Sequence, residues 1–593
     1  MLATDALVAA GGQLAPLSPD TLEKLEGLLP PAWSHANPID ILGDADPERY
    51  AAAVEAAAAE PNSDGLLAIL TPQDMTDPTR TAEALARFAH VRGKPVLASW
   101  MGGERVAAGI EALNRAGVAT FEFPDDAART FCHMWRSAEN LRGLYQTPIR
   151  PEGDARAEVA RAILDDADRE GRTLLDEVES KTILASYGIP VVTTSAARDE
   201  AEAVAAAETM GFPVALKLWS REITHKSEVG GVKLQLANAA AVTHAFREIE
   251  RAVVAKAGRA AFLGVTVQPS IDRSSGVELI LGSAVDPQLG PVLLFGAGGE
   301  LVEVLRDRAI GLPPLTTTLA LRLMEQTKIY RALGGVRGRA PVNLDLLSTL
   351  LVRFSALVVE QPRIREIDVN PLLVSSDGPL ALDGRMLLHG SAARAGAVRP
   401  AIRPYPSEYL FPTRLRDGTC VLIRPIRPED EPAMIAFHAT LGEDTVHQRY
   451  MQTLRLDQRT THDRLVRVCF IDYDREMALV VELREPDGGR QIVGVGRLSR
   501  DRFGRGSPAS AQAEFSLLVA DGWQGRGVGR ELLRRLIEIG DREGVTAIYA
   551  DILPSNLRMQ RLCASLGFVM DGGLIDGDAD GDVVRAVRRA RAS

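Results

Sequence analysis

The chain has 593 residues and a formal charge of −11, with 25% charged and 46% hydrophobic residues. That length exceeds what one core supports and predicts about three to five domains. The acidic balance argues against a nucleic-acid partner, and no apolar run approaches the roughly 20 residues of a membrane span.

The four cysteines (Cys132, Cys420, Cys469, Cys563) lie far apart without metal-ligand spacing and read as reduced thiols of a cytoplasmic protein. No basic stretch leads into an apolar one at the start, so no signal peptide is expected. "MLATDALVAAGG" predicts a helix that ends at Gly11-Gly12 with no strand before it. Within 1–148, "DGLLAILTP" (64–72), "KPVLASWMGG" (94–103) and "VATFEFP" (118–124) read as buried parallel strands, with crossover helices over 79–92, 104–116 and 125–142. That alternation predicts a doubly wound parallel sheet. Proline and charge over 149–164 predict a linker.

A second unit, 165–394, opens with the helix "DEVESKTILASYG" (176–188). Strands such as "PVALKLWS", "GVTVQPS" and "GVELILGSAV" follow, and the unit ends in an acidic hairpin over 364–385. This reads as α+β with more antiparallel sheet. A proline- and arginine-rich linker is expected over 395–418. The last unit, 419–593, reads as α+β: a strand "CVLIRPI", a helix over 428–442, a three-strand meander, a glycine loop, a helix over 527–543, a strand "AIYADIL" and a helix from Asn556 closed by Gly567.

The glycine loop is "DGWQGRGVGREL" (521–532). Gln524, Gly525, Arg526, Gly527, Val528 and Gly529 fit Q/R-x-x-G-x-G/A between a strand and a helix. Main-chain N–H groups and the helix start would favour an anion there. The pattern alone fits a plain glycine turn as well as a phosphate cradle. A Rossmann reading fails, because the preceding strand belongs to a meander.

Together, "AEFSLLVADGWQGRGVGRELL" and the N-x-x-M-x-x-L-x-x-x-L-G-F run from Asn556 resemble the GNAT acyltransferases. The resemblance implies acetyl-CoA as donor, its pyrophosphate on the loop, with Leu517, Val519 and Asn556 also on the cofactor and the Val519 N–H on the thioester oxygen. It also implies Glu514 as general base. A lysine amine of pKa about 10.4 costs about 4–5 kcal/mol to deprotonate at pH 7, and a base can take that proton during the reaction. Partial burial is expected to raise the Glu514 pKa. The alternative for Glu514 is an edge-strand carboxylate in a surface pair. Cys563 stands where many GNATs place an acidic tyrosine, and reads as a core thiol.

"ALKLWSREITHKSEVGGVKL" (215–234), with "VELILG", "FGAGGELVEVL" and "EIDVNPLL", resembles the ATP-grasp subunit of NDP-forming acyl-CoA synthetases. That implies ATP or ADP with Mg²⁺: Lys217 on the phosphates, Val267 and Gln268 as the hinge against adenine, Glu278 near the ribose or Lys217, and Asp368, Asn370 and Asp383 as oxygens for the metal. His225 matches the family's mobile, phosphate-passing histidine. "NPIDI", "TPQDMTD" and "KPVLASWMGG" resemble the flavodoxin-like domain of the same synthetases. That family carries a further CoA-binding domain upstream, and His35 in "WSHANP" does not match its phosphate-accepting histidine. The first domain therefore reads as incomplete at its N-terminal end, and ligase turnover is not expected.

The domain order resembles the Pat-type bacterial protein lysine acetyltransferases. The implied acceptor is a lysine of a metabolic enzyme, such as an AMP-forming acyl-CoA synthetase, with the front domains regulatory. Two alternatives stand: an ADP-forming acyl-CoA ligase fused to an acetyltransferase, and a non-catalytic CoA and nucleotide sensor. The terminal "RAVRRARAS" reads as a solvated tail, and the oligomeric state is open.

Overall fold

The computed structural model describes residues 1–148, 157–223, 226–274, 276–299, 306–335, 340–390, 400–484, 488–500, 512–576 and 582–590. The chain falls into two units, Met1–Leu144 and Tyr145–Ser593. No helix among the described residues is long and apolar enough to cross a membrane.

In the first unit, three helices begin alike. Ser18, Asp46 and Asp77 each accept a backbone N–H three residues on, and a proline follows as the first helical residue. The side chain satisfies an orphan amide, and the proline has none to lose. Strands Leu66–Leu70, Val96–Trp100 and Ala119–Phe121 pair in parallel in chain order. Helices Pro78–Leu85, Ala107–Ala116 and Pro124–Leu144 follow them. Trp100 is buried with Leu70, Leu85 and Leu113. Gly109 permits the close helix crossing, since a Cβ there would meet the Pro78 carbonyl at 2.8 Å. The expected parallel α/β pattern is observed.

The second unit carries two further folds. In the region expected to be ATP-grasp, a four-stranded sheet runs in the order Ser195–Ala197, Gly264–Pro269, Val214–Trp219, Val232–Leu236. A larger antiparallel sheet is built on Val277–Asp286 and Ile364–Ser375, flanked by Gly290–Ala297 and Gly378–Ala381. Part of the expected 149–164 linker is helix: Ala157–Arg169 buries Ala157, Ala160, Leu164 and Ala167 in the core of this sheet. Its apolar residues recur at helical spacing, which the charge around them obscured.

The C-terminal sheet has eight strands. Its centre is Glu476–Arg484, Arg490–Arg500, Gln512–Val519 and Ala547–Ile552. Only the last two pair in parallel, joined by the helix Val528–Arg542, which buries Val528, Leu532, Leu533, Leu536 and Ile539. Helices Glu431–Ala439 and His462–Cys469 contribute to a separate core with Leu518, Val480 and Val495. The expected 395–418 linker is also corrected. Phe411–Arg414 is an edge strand paired with Cys420–Pro425, and Tyr409 and Phe411 are core residues. Pro412 misleads in the sequence because an edge strand tolerates its missing N–H.

Candidate functional site

A cleft of about 340 Å³ opens in the ATP-grasp region, lined by Lys217, Gln268, Ser270, Arg273 and Leu382 among others. Two of its lining residues, Lys217 and Gln268, belong to a buried charge cluster centred on Glu177. The helix Glu177–Ser186 starts with a capping box between Asp176 and Glu179, which fixes Glu177 in the first turn. Lys181 follows at i+4, on the same face. Glu177 accepts hydrogen bonds from Lys181 Nζ at 2.8 Å, Lys217 Nζ at 3.4 Å and Thr266 Oγ1 at 3.3 Å. Lys226 and Gln268 also donate to it. Burial alone would push this carboxyl up, but Lys217, Lys226 and Lys181 outweigh burial and hold it well below its usual range. Burial likewise works against the Lys226 charge, and Glu177 and Asp383 reverse it, so the Lys226 pKa rises.

Lys217 also donates to the Leu382 carbonyl at 3.1 Å and to Asp383 Oδ2 at 3.3 Å. The structure thus gathers Lys217, Gln268 and Asp383. The Val267 side chain is buried in the neighbouring core instead, so Pro269, Ser270 and Ile271 line the wall expected of the hinge. The Gln268 amide is committed to Glu177. Glu278 and Asn370 meet around Gly299: its N–H donates to Asn370 Oδ1 at 3.4 Å, and a Cβ there would lie 2.6 Å from Glu278 Oε2. Asp368 stands opposite Arg385, and the Leu382 N–H donates to the Pro371 carbonyl at 3.0 Å, so Asp368, Asn370 and Asp383 share one stretch of the hairpin. Among the described residues no three His, Cys, Asp or Glu groups converge on one point. One or two carboxylates suit Mg²⁺ held mainly through phosphate oxygens and water. His225 lies outside the described residues.

In the C-terminal domain, the strands Gln512–Val519 and Ala547–Ile552 pair only from Gln512 to Glu514, opposite Ala547 to Tyr549. Beyond Glu514 they splay, leaving a V with unpaired main chain along Phe515–Val519 on that side. Glu514 sits where the V opens and is exposed, contrary to the expected partial burial. It sits on the side of the strand away from the core residues Ala513, Phe515 and Leu517. Ser516 shares its face. Arg449 Nη2 donates to Ser516 Oγ at 2.8 Å. Burial works against the Arg449 charge, while Tyr450 and Glu514 support it.

The glycine loop follows the strand. Gly525 and Gly527 have φ of +79° and +98°, which disfavour any Cβ. The helix from Val528 has no side-chain cap, so the first-turn amides lack intrahelical acceptors and carry the positive end of the helix dipole. The Gln524 side chain acts as a brace: its amide donates to Thr445 Oγ1 at 3.0 Å and Asp521 Oδ1 at 3.2 Å. Asp521 in turn accepts from the Gly442 N–H at 2.9 Å and Thr445 Oγ1 at 2.7 Å. Arg526 reaches Asp417 at 3.3 Å and lies over the Trp523 ring. Leu517 and Val528 are core residues, and Gly529 packs near Val519. What these positions offer a ligand is therefore main chain. Asn556 caps the helix Leu557–Ser565 by accepting from the Met559 N–H at 3.1 Å. Cys563 is buried, and burial pushes its thiol up to about 12, in keeping with a core thiol.

Sequence reasoning missed Glu177, Lys181, Lys226, Thr445, Asp521 and Arg449. The i, i+4 pair Glu177 and Lys181 behind a capping box was a readable signal. Arg449 had none, because its partner Ser516 lies 67 residues away.

Three family matches cover the chain: a Ligase-CoA domain over 1–134, an ATP-grasp domain over 166–388 and an acetyltransferase (GNAT) domain over 421–569. The β-subunit of the ADP-forming acetate–CoA ligase I of Pyrococcus furiosus is 40% identical over 39% of this chain and 97% of that subunit. The ADP-forming acetate–CoA ligase I of Archaeoglobus fulgidus is 35% identical over 65% of this chain and 55% of its own length. The chain thus spans about half the length of that single-chain ligase. The acetyltransferase PA5475 of Pseudomonas aeruginosa is 34% identical over 26% of this chain and 78% of its own length. The ligase relatives weigh against the expectation that ligase activity is unlikely here. The chain belongs to the ADP-forming acyl-CoA ligase family through its ATP-grasp region and to the GNAT acetyltransferases through its C-terminal domain.

Proposed function

We propose that this chain joins the nucleotide-handling part of an ADP-forming acyl-CoA ligase to an acetyl-CoA-dependent N-acetyltransferase. The observation that carries the reading is the cleft lined by Lys217 and Gln268, both bonded to Glu177, in a region 40% identical to a ligase β-subunit. In the ligase half, adenine lies against Pro269–Ile271 and the phosphates face Lys217 and Lys226. Bound Mg²⁺ would neutralise phosphate charge, with Asp368, Asn370 and Asp383 as the residues to hold it. The reaction converts acetyl-CoA, ADP and phosphate to acetate, CoA and ATP, or the reverse.

In the acetyltransferase half, CoA pyrophosphate rests on the amides of 525–529 and the thioester lies in the V. The amine nitrogen bonds to the acyl carbon, the carbon–sulfur bond breaks, Glu514 takes the ammonium proton and the thiolate is protonated as CoA leaves. The Val519 N–H stabilises the oxyanion. The acceptor is a lysine of a metabolic enzyme, an AMP-forming acyl-CoA synthetase being the case the Pat-type resemblance suggests, and the setting is the cytoplasm.

Two readouts test this on the full chain. ADP with Mg²⁺ is expected to bind and Lys217→Ala to weaken it at least about tenfold; failure of ADP and ATP to bind overturns the ligase half. ATP formation from acetyl-CoA, ADP and phosphate separates turnover from binding alone. Mass spectrometry of lysates with labelled acetyl-CoA is expected to show lysine acetylation that Glu514→Gln removes with CoA binding retained; unchanged acetylation in that variant overturns the transfer half.

A further inference from the structure

Arg449 lies in the last turn of the helix Glu443–Tyr450, which is braced against the glycine loop through Gly442, Thr445, Asp521 and Gln524. Its guanidinium crosses to the splayed strand and donates to Ser516 Oγ, a neutral acceptor. Ser516 and Glu514 share the strand face that carries the transfer reaction in the reading above. Nearby, Arg464 lies over the Tyr450 ring without an ion pair among the described residues, while two other cations are matched. Arg497 donates to Glu476 at 2.6 Å, and Arg585 pairs with Asp551 through two bonds of 2.7 Å. Arg449 makes no ion pair among the described residues and is only partly exposed. A partly desolvated guanidinium has five donors and a planar fork suited to a carboxylate, and one hydroxyl uses one of them. Glu514 supports the charge from beyond ion-pair distance and the Tyr450 ring lies 5.3 Å away, but burial still works against the guanidinium, and a carboxylate on the unused fork would offset it.

We propose that Arg449 forms a carboxylate subsite in the acyl-transfer V, so that one of the two substrates carries a carboxylate near its reacting group. The carboxylate comes from one of two sources: the far end of a dicarboxylic acyl group on CoA, or the acceptor beside its amine. The inference rests on the acyltransferase reading of the C-terminal domain. Ser516 supports the guanidinium, and Glu514, on the same strand face, takes the proton.

The test uses the full chain and its Arg449→Met and Arg449→Lys variants. One arm titrates acetyl-CoA and succinyl-CoA calorimetrically. The other titrates Nα-acetyl-lysine, with its free carboxylate, and Nα-acetyl-lysine amide into the CoA complex. In one arm the wild type is expected to prefer the carboxylate-bearing probe, and Arg449→Met to reduce that preference ratio by about tenfold, with partial recovery in Arg449→Lys. The arm that responds names the source. Equal ratios in wild type and Arg449→Met in both arms overturn the proposal. The binding arms need no turnover. A carboxylate preference lost in Arg449→Met without any acyl transfer would therefore uphold the subsite and count against the enzymatic reading, while transfer without such a preference would do the reverse.

Discussion

The two candidate anion sites of this chain are built by opposite means. The ATP-grasp cleft uses ionic side chains. Three lysines converge on Glu177, the buried carboxylate they share. The glycine loop of the C-terminal domain uses main chain, an uncapped helix start and two glycines of positive φ, and its nearby side chains brace one another. A cluster of buried charges needs a counterion inside the fold at all times. A cradle of amides needs only a backbone shape. The first kind of site is therefore tied to the stability of its domain, and the second to local conformation.

The largest expected effect follows from that difference. Glu177→Gln leaves the Lys181, Lys217 and Lys226 ammonium groups without their shared counterion and is expected to destabilise the ATP-grasp region by about 3–5 kcal/mol. Urea unfolding followed by a probe in that region checks it; a midpoint unchanged from wild type would break the comparison.

Acid sharpens the contrast. The Glu177 pKa is held low, so the cluster resists mild acid. In the C-terminal domain, burial lowers the His438 pKa from 6.5 to about 4, with Arg459 and Arg464 adding to it. Its folded pKa lies below its unfolded one, so this contribution is fully present above about pH 6.5 and is lost as pH falls toward 4. The full difference corresponds to about 3 kcal/mol. The C-terminal domain is expected to lose stability first between pH 6.5 and 4, and His438→Leu to flatten that dependence in urea titrations across the range.

Smaller effects fall on the loop. Gly527→Ala has room, since the nearest atom, in the Arg416 side chain, is 3.5 Å from a new Cβ. Its φ of +98° is the obstacle, and a cost of about 1–2 kcal/mol is expected, together with weaker CoA binding. Asn556→Ala removes a helix cap and is expected to cost about 1 kcal/mol. Thermal unfolding and CoA titration distinguish the two, because the cap loss acts on stability.

Much of the architecture was legible because each device is local. The apolar strand runs and the glycine loop both act within a few residues. The splay after Glu514 was legible only through resemblance, since it depends on where the pairing with Tyr549 stops. The Phe411–Arg414 strand was hidden by proline and arginine, and the helix from Ala157 by surrounding charge. Apart from Lys181 at i+4, the Glu177 cluster joins residues 40 to 91 positions apart, and Arg449 meets Ser516 across two elements; no window of sequence holds those longer contacts.

In the proposed function, one polypeptide carries a side-chain nucleotide site and a main-chain CoA site. Calorimetric titration of the full chain with ADP–Mg²⁺ and, separately, with CoA tests it most directly. One saturable site is expected for each ligand, with Lys217→Ala weakening ADP alone and Gly527→Ala weakening CoA alone. Loss of both ligands in either variant, or failure of either ligand to bind the unmodified chain, would contradict it.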